Sequence, residues 1–168
     1  MMTPKQLRAK YSYQFNGRNI GFGFYKGWFS ILVKACEDID QLLGAEKYGF
    51  HWVQIKEKFG TVRMYWEWDR KAANEFPKES SINLRYQQVL APHNKHDDAA
   101  HLSDQLHAIV EAAETHTYHV CMVCGEPGKQ VSFSGFIQTL CPEHARMKSA
   151  GKLPPAWFAE EEDTDASR

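Results

Sequence analysis

The feature that most constrains the fold is a group of three cysteines and one histidine in the C-terminal part of the chain. Cys121 and Cys124 are separated by two residues. After sixteen further residues, Cys141 and His144 repeat the same spacing. Two thiolates followed by a thiolate–imidazole pair are typical of tetrahedral zinc sites. The spacing therefore predicts one structural Zn²⁺ bound by these four side chains.

The residues between the two pairs predict how the site is built. Gly125 permits a tight turn in which backbone amides face the sulfurs, and residues 129–140 (KQVSFSGFIQTL) predict a hairpin that turns at Ser134-Gly135. Pro142 suits the first position of a helix. A knuckle, a hairpin and a helix in this order form the treble-clef arrangement. Because four protein ligands leave no position for water, the predicted role of the zinc is structural rather than catalytic.

Hydrophobic periodicity predicts the elements of the remaining chain. Apolar stripes at helical spacing predict a helix over 28–43, ending at Gly44, and a second helix over 98–117. Alternating aromatic residues between 11 and 24 predict short strands, and residues 51–68 predict two strands joined through the KEKFG turn. The predicted fold class is α+β, with about four antiparallel strands covered by the two helices and the zinc module appended. The side chains predicted to face inward from the last two strands are Val53, Ile55, Phe59, Val62, Met64, Trp66 and Trp68.

Composition supports a folded core and suggests an organisation. Hydrophobic residues make up 43% of the chain and aromatic residues 13%, which excludes wholesale disorder. We expect residues 1–118 to form the α+β domain, 119–158 to form the zinc module packed on it, and 159–168 to be a disordered acidic tail. Neither a membrane-spanning apolar run nor a signal-peptide pattern is present, so we expect a cytoplasmic protein without membrane contact.

One segment resembles a known family. Ile55–Tyr65 (IKEKFGTVRMY), preceded by Gly27-Trp28, is similar to a motif of an uncharacterised family of small bacterial and phage proteins. In that family the motif is likewise followed by CxxCGxPG and a later LCxxH. The resemblance covers residues 26–68 and 119–146. It implies a phage or mobile-element origin, a context in which anti-defence proteins, such as anti-CRISPRs, and toxin-immunity proteins are encoded.

The sequence lacks the patterns of common catalytic sites, and we predict that the protein is not an enzyme. The hairpin 129–140 contains no histidine and no acid, and His144 is assigned to zinc, so the parts of an HNH-type nuclease are missing. There is no serine nucleophile elbow, phosphate-binding glycine loop or HExxH motif. Cys36 stands alone on the buried stripe of the first helix and is interpreted as a small hydrophobe.

The charge pattern leaves two binding functions open. The favoured hypothesis is stoichiometric binding and inhibition of a protein target, either through acidic residues of 78–120 and the tail that mimic phosphate or through a cationic turn. The alternative is a nucleic-acid-binding accessory protein, because residues 1–34 carry six basic side chains, no acid and interleaved aromatic residues. The candidate partner-binding residues of the cationic turn are Lys56, Lys58, Arg63 and Tyr65.

A second metal site is the remaining hypothesis, because histidines recur between 93 and 119. They are His93, His96, His101, His107, His116 and His119. No cysteine accompanies them, and the pair on the second predicted helix does not have i, i+4 spacing, so we interpret them as surface or capping residues. His119, two residues before Cys121, is kept as a candidate zinc ligand or as a residue that orients one.

Overall fold

The computed structural model describes residues 2–17, 20–44, 47, 49–68, 79–80 and 97–157. The described helices are α1 (Pro4–Lys10), α2 (Phe29–Leu43), α3 (Asp97–His116) and α4 (Pro142–Ser149). The described strands are β1 (Phe22–Gly23), β2 (Phe50–Lys58), β3 (Thr61–Trp68), β4 (Glu79–Ser80), β5 (Lys129–Phe133) and β6 (Phe136–Leu140). Short 3₁₀ turns lie at Ser12–Phe15, Lys26–Trp28 and Thr117–His119. The protein is therefore a mixed α/β structure, and the acidic tail lies outside the described residues.

Strands β1 to β4 form one sheet in that order, and β5 and β6 form a separate hairpin. The β2–β3 and β3–β4 pairs are antiparallel, whereas β1 runs parallel to β2. The prediction of four antiparallel strands is therefore wrong for β1. The chain passes through α2 between β1 and β2, and such a helical crossover returns it to the same end of the sheet, which makes the two strands parallel.

The N-terminal strands predicted between 11 and 24 are wrong except for the two residues of β1. The 3₁₀ turn Ser12–Phe15 occupies part of this range, directly after α1. Thr3 begins α1 with a capping box, in which its hydroxyl accepts the Gln6 amide at 3.2 Å and the Gln6 side chain accepts the Thr3 amide at 2.9 Å. Pro4 occupies the first helical turn. The 3₁₀ turn itself is held by contacts with α2: the side-chain amide of buried Gln14 donates to the Cys36 carbonyl at 2.9 Å, and the Tyr13 hydroxyl donates to Asp40 at 3.1 Å.

The two helices predicted from periodicity are confirmed. Helix α2 ends at Gly44, whose amide donates to the Asp40 carbonyl at 3.2 Å. The buried faces of α2 and α3 share one hydrophobic cluster with the inward side of the sheet. Its largest fully buried side chains include Trp28, Trp52, Trp66, Phe24 and Phe50. No helix in the described part of the chain is long and apolar enough to cross a membrane.

Strand β2 departs from strict alternation at a β-bulge between Trp52 and Gln54. Trp52 and Ile55 are buried, whereas Val53 is 42% exposed, so the predicted inward position of Val53 is wrong. The extra residue of the bulge shifts the inward face from even-numbered to odd-numbered positions. The inward residues predicted for β3 and described with their side chains are buried: Val62, Met64 and Trp66. The predicted inward side chain of Trp68 lies outside what is described.

The turn between β2 and β3 consists of only Phe59 and Gly60, which have φ values of 54° and 75°. Positive φ at both positions is typical of a type I′ hairpin turn, for which Asn-Gly is the favoured sequence. A phenylalanine in this left-handed region is strained by about 1–2 kcal/mol. The ring of Phe59 is also 67% exposed, so its predicted inward position is wrong.

We expect Phe59→Asn to raise the free energy of unfolding by about 0.5–1 kcal/mol, because Asn tolerates the left-handed conformation. Loss of the cation–π contact with Lys58, whose Nζ lies 5.4 Å from the ring centroid, offsets part of the gain. Urea denaturation measures the change. Phe59→Ala keeps a Cβ at positive φ and serves as the control. An Asn variant no more stable than the Ala variant would contradict the strain at this turn.

Candidate metal centre

The four predicted ligands lie together, with one donor atom from each within 4.8 Å of the others. The Sγ atoms of Cys124 and Cys141 are 3.9 Å apart. The Nδ1 atom of His144 lies 3.5 Å from Cys121 Sγ and 3.1 Å from Cys141 Sγ. A tetrahedral zinc with Zn–S bonds of about 2.3 Å has sulfur–sulfur edges of about 3.8 Å. Three sulfurs and one nitrogen at these separations fit a tetrahedral metal ion.

Local structure holds each pair of donors. The Gly125 amide donates to the Cys121 carbonyl at 2.9 Å, and a φ of 83° at Gly125 closes the predicted turn. Cys141 is the N-cap of α4, with its sulfur 3.5 Å from the His144 amide. Pro142 lies in the first turn of the helix, as the sequence predicts. The hairpin between the two pairs turns at the expected Ser-Gly dipeptide.

The thiols of the first pair differ in electrostatic environment. Burial acts to raise the pKa of Cys121, but backbone amides of Cys141, Cys124 and Val123 outweigh it and lower that pKa below the ordinary thiol value. Desolvation, together with the neighbouring Cys121 thiol, raises the pKa of Cys124 to about 11. A divalent cation bound by the sulfurs offsets the repulsion between the neighbouring thiolates of Cys121 and Cys124. It also favours the deprotonated form of the thiols that coordinate it. The donor chemistry of the cluster therefore also favours a bound cation.

Residues 120–149, here called the metal-binding segment because they carry the four candidate ligands, contact the residues that precede α2. The Gly27 amide donates to the Met122 carbonyl at 2.9 Å, and the indole Nε1 of buried Trp28 donates to the Val120 carbonyl at 2.7 Å. A Cβ on Gly27 would overlap the carbonyl oxygen of Cys121 and would lie 2.7 Å from the Met122 carbonyl. The Gly-Trp dipeptide therefore fixes the position of the first ligand pair on the sheet core.

The hairpin β5–β6 is attached to the turn between β2 and β3. The Gln130 side-chain amide donates to the Phe59 carbonyl at 3.2 Å, and the Thr139 hydroxyl donates to the Gly60 carbonyl at 2.6 Å. A Cβ on Gly60 would lie 3.0 Å from the Ile137 carbonyl oxygen. Both halves of the sequence motif quoted above therefore contact the metal-binding segment. The domain boundary expected near residue 118 stays a prediction.

The predicted partner-binding residues share the outward face of the β2–β3 pair. Lys56 lies opposite Arg63 in the strand register, and its Nζ is 5.3 Å from the ring centroid of Tyr65. Lys58 is exposed and lies over the ring of Phe59 at the end of the same face. The structure thus places all four residues side by side, and their role in partner binding stays a prediction.

Arg63 also has a structural contact that the sequence did not suggest. Its guanidinium lies 3.4 Å from a Glu114 carboxylate oxygen and 3.2 Å from the Tyr118 hydroxyl. The other oxygen of Glu114 accepts the Met64 amide at 2.8 Å. Glu114, near the C-terminal end of α3, therefore provides a hydrogen-bond acceptor for the edge of β3 at Met64. Strand β4 pairs only with Glu67 and Trp68 and does not extend to this position.

We expect Glu114→Gln to destabilise the protein less than Glu114→Ala. Gln keeps an acceptor for the Met64 amide and loses only the partly exposed ion pair with Arg63, which is worth at most about 1 kcal/mol. Ala removes both contacts and should cost about 1–3 kcal/mol. Urea unfolding of the two variants measures the difference. Equal losses would show that the amide contact contributes nothing.

Within the described residues, the Cys₃His cluster is the one group of metal-binding side chains close enough to share an ion. His119 is not a member, and its carbonyl accepts the Gly128 amide at 2.8 Å. His93 and His96 lie outside the described residues. The other histidines of the predicted group lie on α3 and are His101, His107 and His116.

Cys36 is separate from this centre. It is fully buried on α2, and burial raises the pKa of its thiol to about 12. The thiol is therefore protonated at neutral pH and packs as a small apolar group, in agreement with its interpretation from the sequence.

No protein-family model, curated protein or solved structure matches the chain. The four donor side chains and their surroundings define the site by their geometry. That geometry combines a tetrahedral donor set with two glycines, Gly27 and Gly60, at which the metal-binding segment lies against the sheet core. The sequence analysis did not predict this role of Gly27 and Gly60. Their presence in the family-like motif could have indicated a close approach of two backbone segments.

Proposed function

We propose that the metal is one structural Zn²⁺ and that the knuckle, the hairpin β5–β6 and α4 form a treble clef. Three thiolates and one imidazole are the donor set that zinc prefers in structural sites, and the distances between the donors suit its bond lengths. When bound, zinc supplies a cross-link between the segment that carries Cys121 and Cys124 and the start of α4. Helix α4 buries none of its residues fully, which supports a need for this cross-link.

We propose that the protein acts without turnover, by binding a protein target stoichiometrically and blocking it. The observation that carries this proposal is a concentration of exposed apolar side chains around the metal-binding segment. These side chains are Phe59, Phe136 (74% exposed), Ile137 and Trp157. Large apolar side chains exposed on neighbouring segments are typical of protein interaction sites, and aromatic residues dominate the energy of such contacts.

The closed donor set supports a role that does not require catalysis. Four protein donors occupy the tetrahedral positions, so a bound metal has no vacant position at which to activate water. Zinc at this site therefore contributes stability and shape to the surface rather than chemistry.

The resemblance to phage and mobile-element proteins supports inhibition as the outcome of binding. We propose an anti-defence role, such as that of an anti-CRISPR protein, or a toxin-immunity role. Either role can be carried out by occupying a surface of another protein.

Nucleic-acid binding is the weaker candidate. The aromatic residues that suggested it are largely in the core, since Tyr11, Phe22 and Phe24 are buried. Arg8 lies over the rings of Phe15 and Phe22 and contributes to the packing of the N-terminal segment. Fewer aromatic rings and cations in this region are therefore available to stack on bases or to contact phosphates.

Affinity capture with the zinc-loaded, full-length protein tests the proposed function. Lysates of the native host, uninfected or carrying a competing element, are treated with nuclease and washed at moderate salt before mass spectrometry. We expect one dominant protein, recovered at about one copy per chain. Recovery that is lost on nuclease treatment, with an affinity that falls steeply as salt rises, would favour nucleic-acid binding instead. Metal-dependent cleavage of DNA or RNA by the pure protein would contradict a role without turnover.

A further inference from the structure

Two of the exposed apolar residues, Phe59 and Ile137, adjoin the strand face that carries the predicted partner-binding residues. Gln130 and Thr139 pair across the β5–β6 hairpin and contact the β2–β3 turn with their side chains. Ile137 pairs with Ser132 and, two positions from Thr139, lies on the same face of the hairpin. Phe59 and Ile137, here called the apolar tip, are therefore neighbours, with exposures of 67% and 40%.

The apolar tip continues into the half of the outward face of β2 and β3 that lies next to their turn, here called the cationic face. It carries Lys58 beside Phe59, then Lys56 opposite Arg63, with Tyr65 next to them. Nearby carboxylates are bound internally: those of Glu57 and Glu114 accept backbone amides, and Glu114 also pairs with Arg63. Glu67, two positions beyond Tyr65 on the same face, lies 3.7 Å from the His51 imidazole. Among these described residues, no carboxylate therefore forms an ion pair with Lys56 or Lys58.

From this arrangement we propose that the apolar tip and the cationic face form one docking surface for an acidic protein partner. This inference rests on the proposed binding function and deepens it. An apolar pocket on the partner receives Phe59 and Ile137, and carboxylates at the rim of that pocket pair with Lys56 and Lys58. Charge complementarity selects this occupant, because two lysines beside an aromatic anchor attract carboxylates and repel a basic surface.

The backbone conformation of Phe59 supports the assignment. An aromatic ring at positive φ in a hairpin turn is strained, and its exposed position gives it little packing in return. The same turn with Asn at this position would be relaxed. Strain at an exposed anchor is the pattern expected of a residue retained for contact with another molecule.

The same contacts favour a protein over a nucleic acid as the occupant. The rings of Phe59 and Tyr65 are each approached by a lysine ammonium, at 5.4 Å and 5.3 Å from the ring centroids. A base could stack on these faces only by displacing the lysine that would also have to contact the phosphate. Ile137, an aliphatic side chain, adds nothing to base stacking and suits an apolar pocket.

A random 12-residue peptide display library, panned against immobilised, zinc-loaded full-length protein at 0.15 M salt, tests the surface. We expect enriched peptides with an apolar residue flanked by aspartate or glutamate. An enriched synthetic peptide should bind Phe59→Asn and the Lys56→Gln, Lys58→Gln double variant about tenfold more weakly or worse. Phe59→Asn is expected to keep its fold, and its urea transition verifies this.

Val53→Asn is the matched control, because Val53 is an exposed apolar residue about 20 Å along β2 from Phe59. It should bind the peptide within twofold of wild type. Failure to enrich any peptide, enrichment of peptides without acids, or equal binding by Phe59→Asn would overturn the inference. Two further outcomes would overturn the inference. One is binding of a (dT)₂₀ oligonucleotide that is tighter than peptide binding and is abolished by both the Phe59 variant and the lysine variant. The other is self-association of the protein that Phe59→Asn abolishes.

The two proposals fail in different ways. If the native partner is captured equally by wild type and Phe59→Asn, the docking surface is wrong and the binding function stands. If the peptide results hold but no protein partner is captured from the native host, the surface stands as a peptide-binding site and the proposed function is wrong.

Discussion

Removal of the proposed structural zinc is expected to lower the melting temperature by about 10–20 °C and to expose residues 119–157 to hydrogen exchange. Without it, the thiols of Cys121 and Cys124 lose the cation that holds them together, and the knuckle no longer fits against Gly27. The loss includes about two hydrogen bonds at about 1 kcal/mol each and part of the burial of Met122 and Leu140, at about 1.5–3 kcal/mol each. A total of about 5 kcal/mol corresponds to this shift for a chain of this size.

Differential scanning calorimetry and hydrogen exchange before and after chelation measure this effect. The Cys121→Ser, Cys124→Ser double variant should behave like the chelated protein. Cys36→Ser is the matched control, because its thiol is buried outside the centre and the metal content should be unchanged. A double variant that keeps both its metal and its melting temperature would show that these thiols are not ligands.

Gly27→Ala is expected to destabilise the protein by about 3 kcal/mol or more while leaving the metal bound. The added Cβ would overlap the Cys121 carbonyl oxygen and crowd the Met122 carbonyl, both of which belong to the backbone and cannot rotate away. Overpacking of this kind costs about 1–3 kcal/mol, and displacement of the knuckle also weakens the bonds from Gly27 and Trp28. Urea unfolding and metal analysis together measure the result.

Gly151→Ala is the matched control for this substitution. Gly151 also lies in the C-terminal part of the chain and has a φ of 69°, but a Cβ there would have no neighbour within 4 Å. It should therefore cost only the conformational penalty of about 1–2 kcal/mol. A Gly27→Ala variant no less stable than Gly151→Ala would contradict the close contact between the knuckle and the sheet core.

The parts of the structure that the sequence predicted are those with strong local signals. Helix α2 has seven apolar side chains on one stripe and a glycine at its end, and both its position and its stop are confirmed. The ligand cluster was predictable because two residue pairs at fixed spacing leave few alternatives. The turn at Ser134-Gly135 was also encoded locally, by residues that adopt positive φ.

The parts that were missed depend on contacts distant in sequence or on competing local signals. The parallel pairing of β1 follows from the crossover through α2, which periodicity does not report. The bulge at Val53 changes which side chains of β2 face inward, and nothing in the alternation reveals it. Thr3 and Pro4 did carry a helix-start signal, which the aromatic alternation that follows obscured.

X-ray absorption at the zinc edge, on full-length protein purified without added metal, tests the central claim most directly. The proposed structural zinc predicts one zinc per chain, with three sulfur ligands at about 2.3 Å and one nitrogen at about 2.0–2.1 Å. We propose that a closed site of this kind is structural, and the proposed binding role depends on the surface that it supports. Fewer than three sulfurs in the zinc shell, the absence of imidazole scattering, or protein that folds fully without metal would contradict the account.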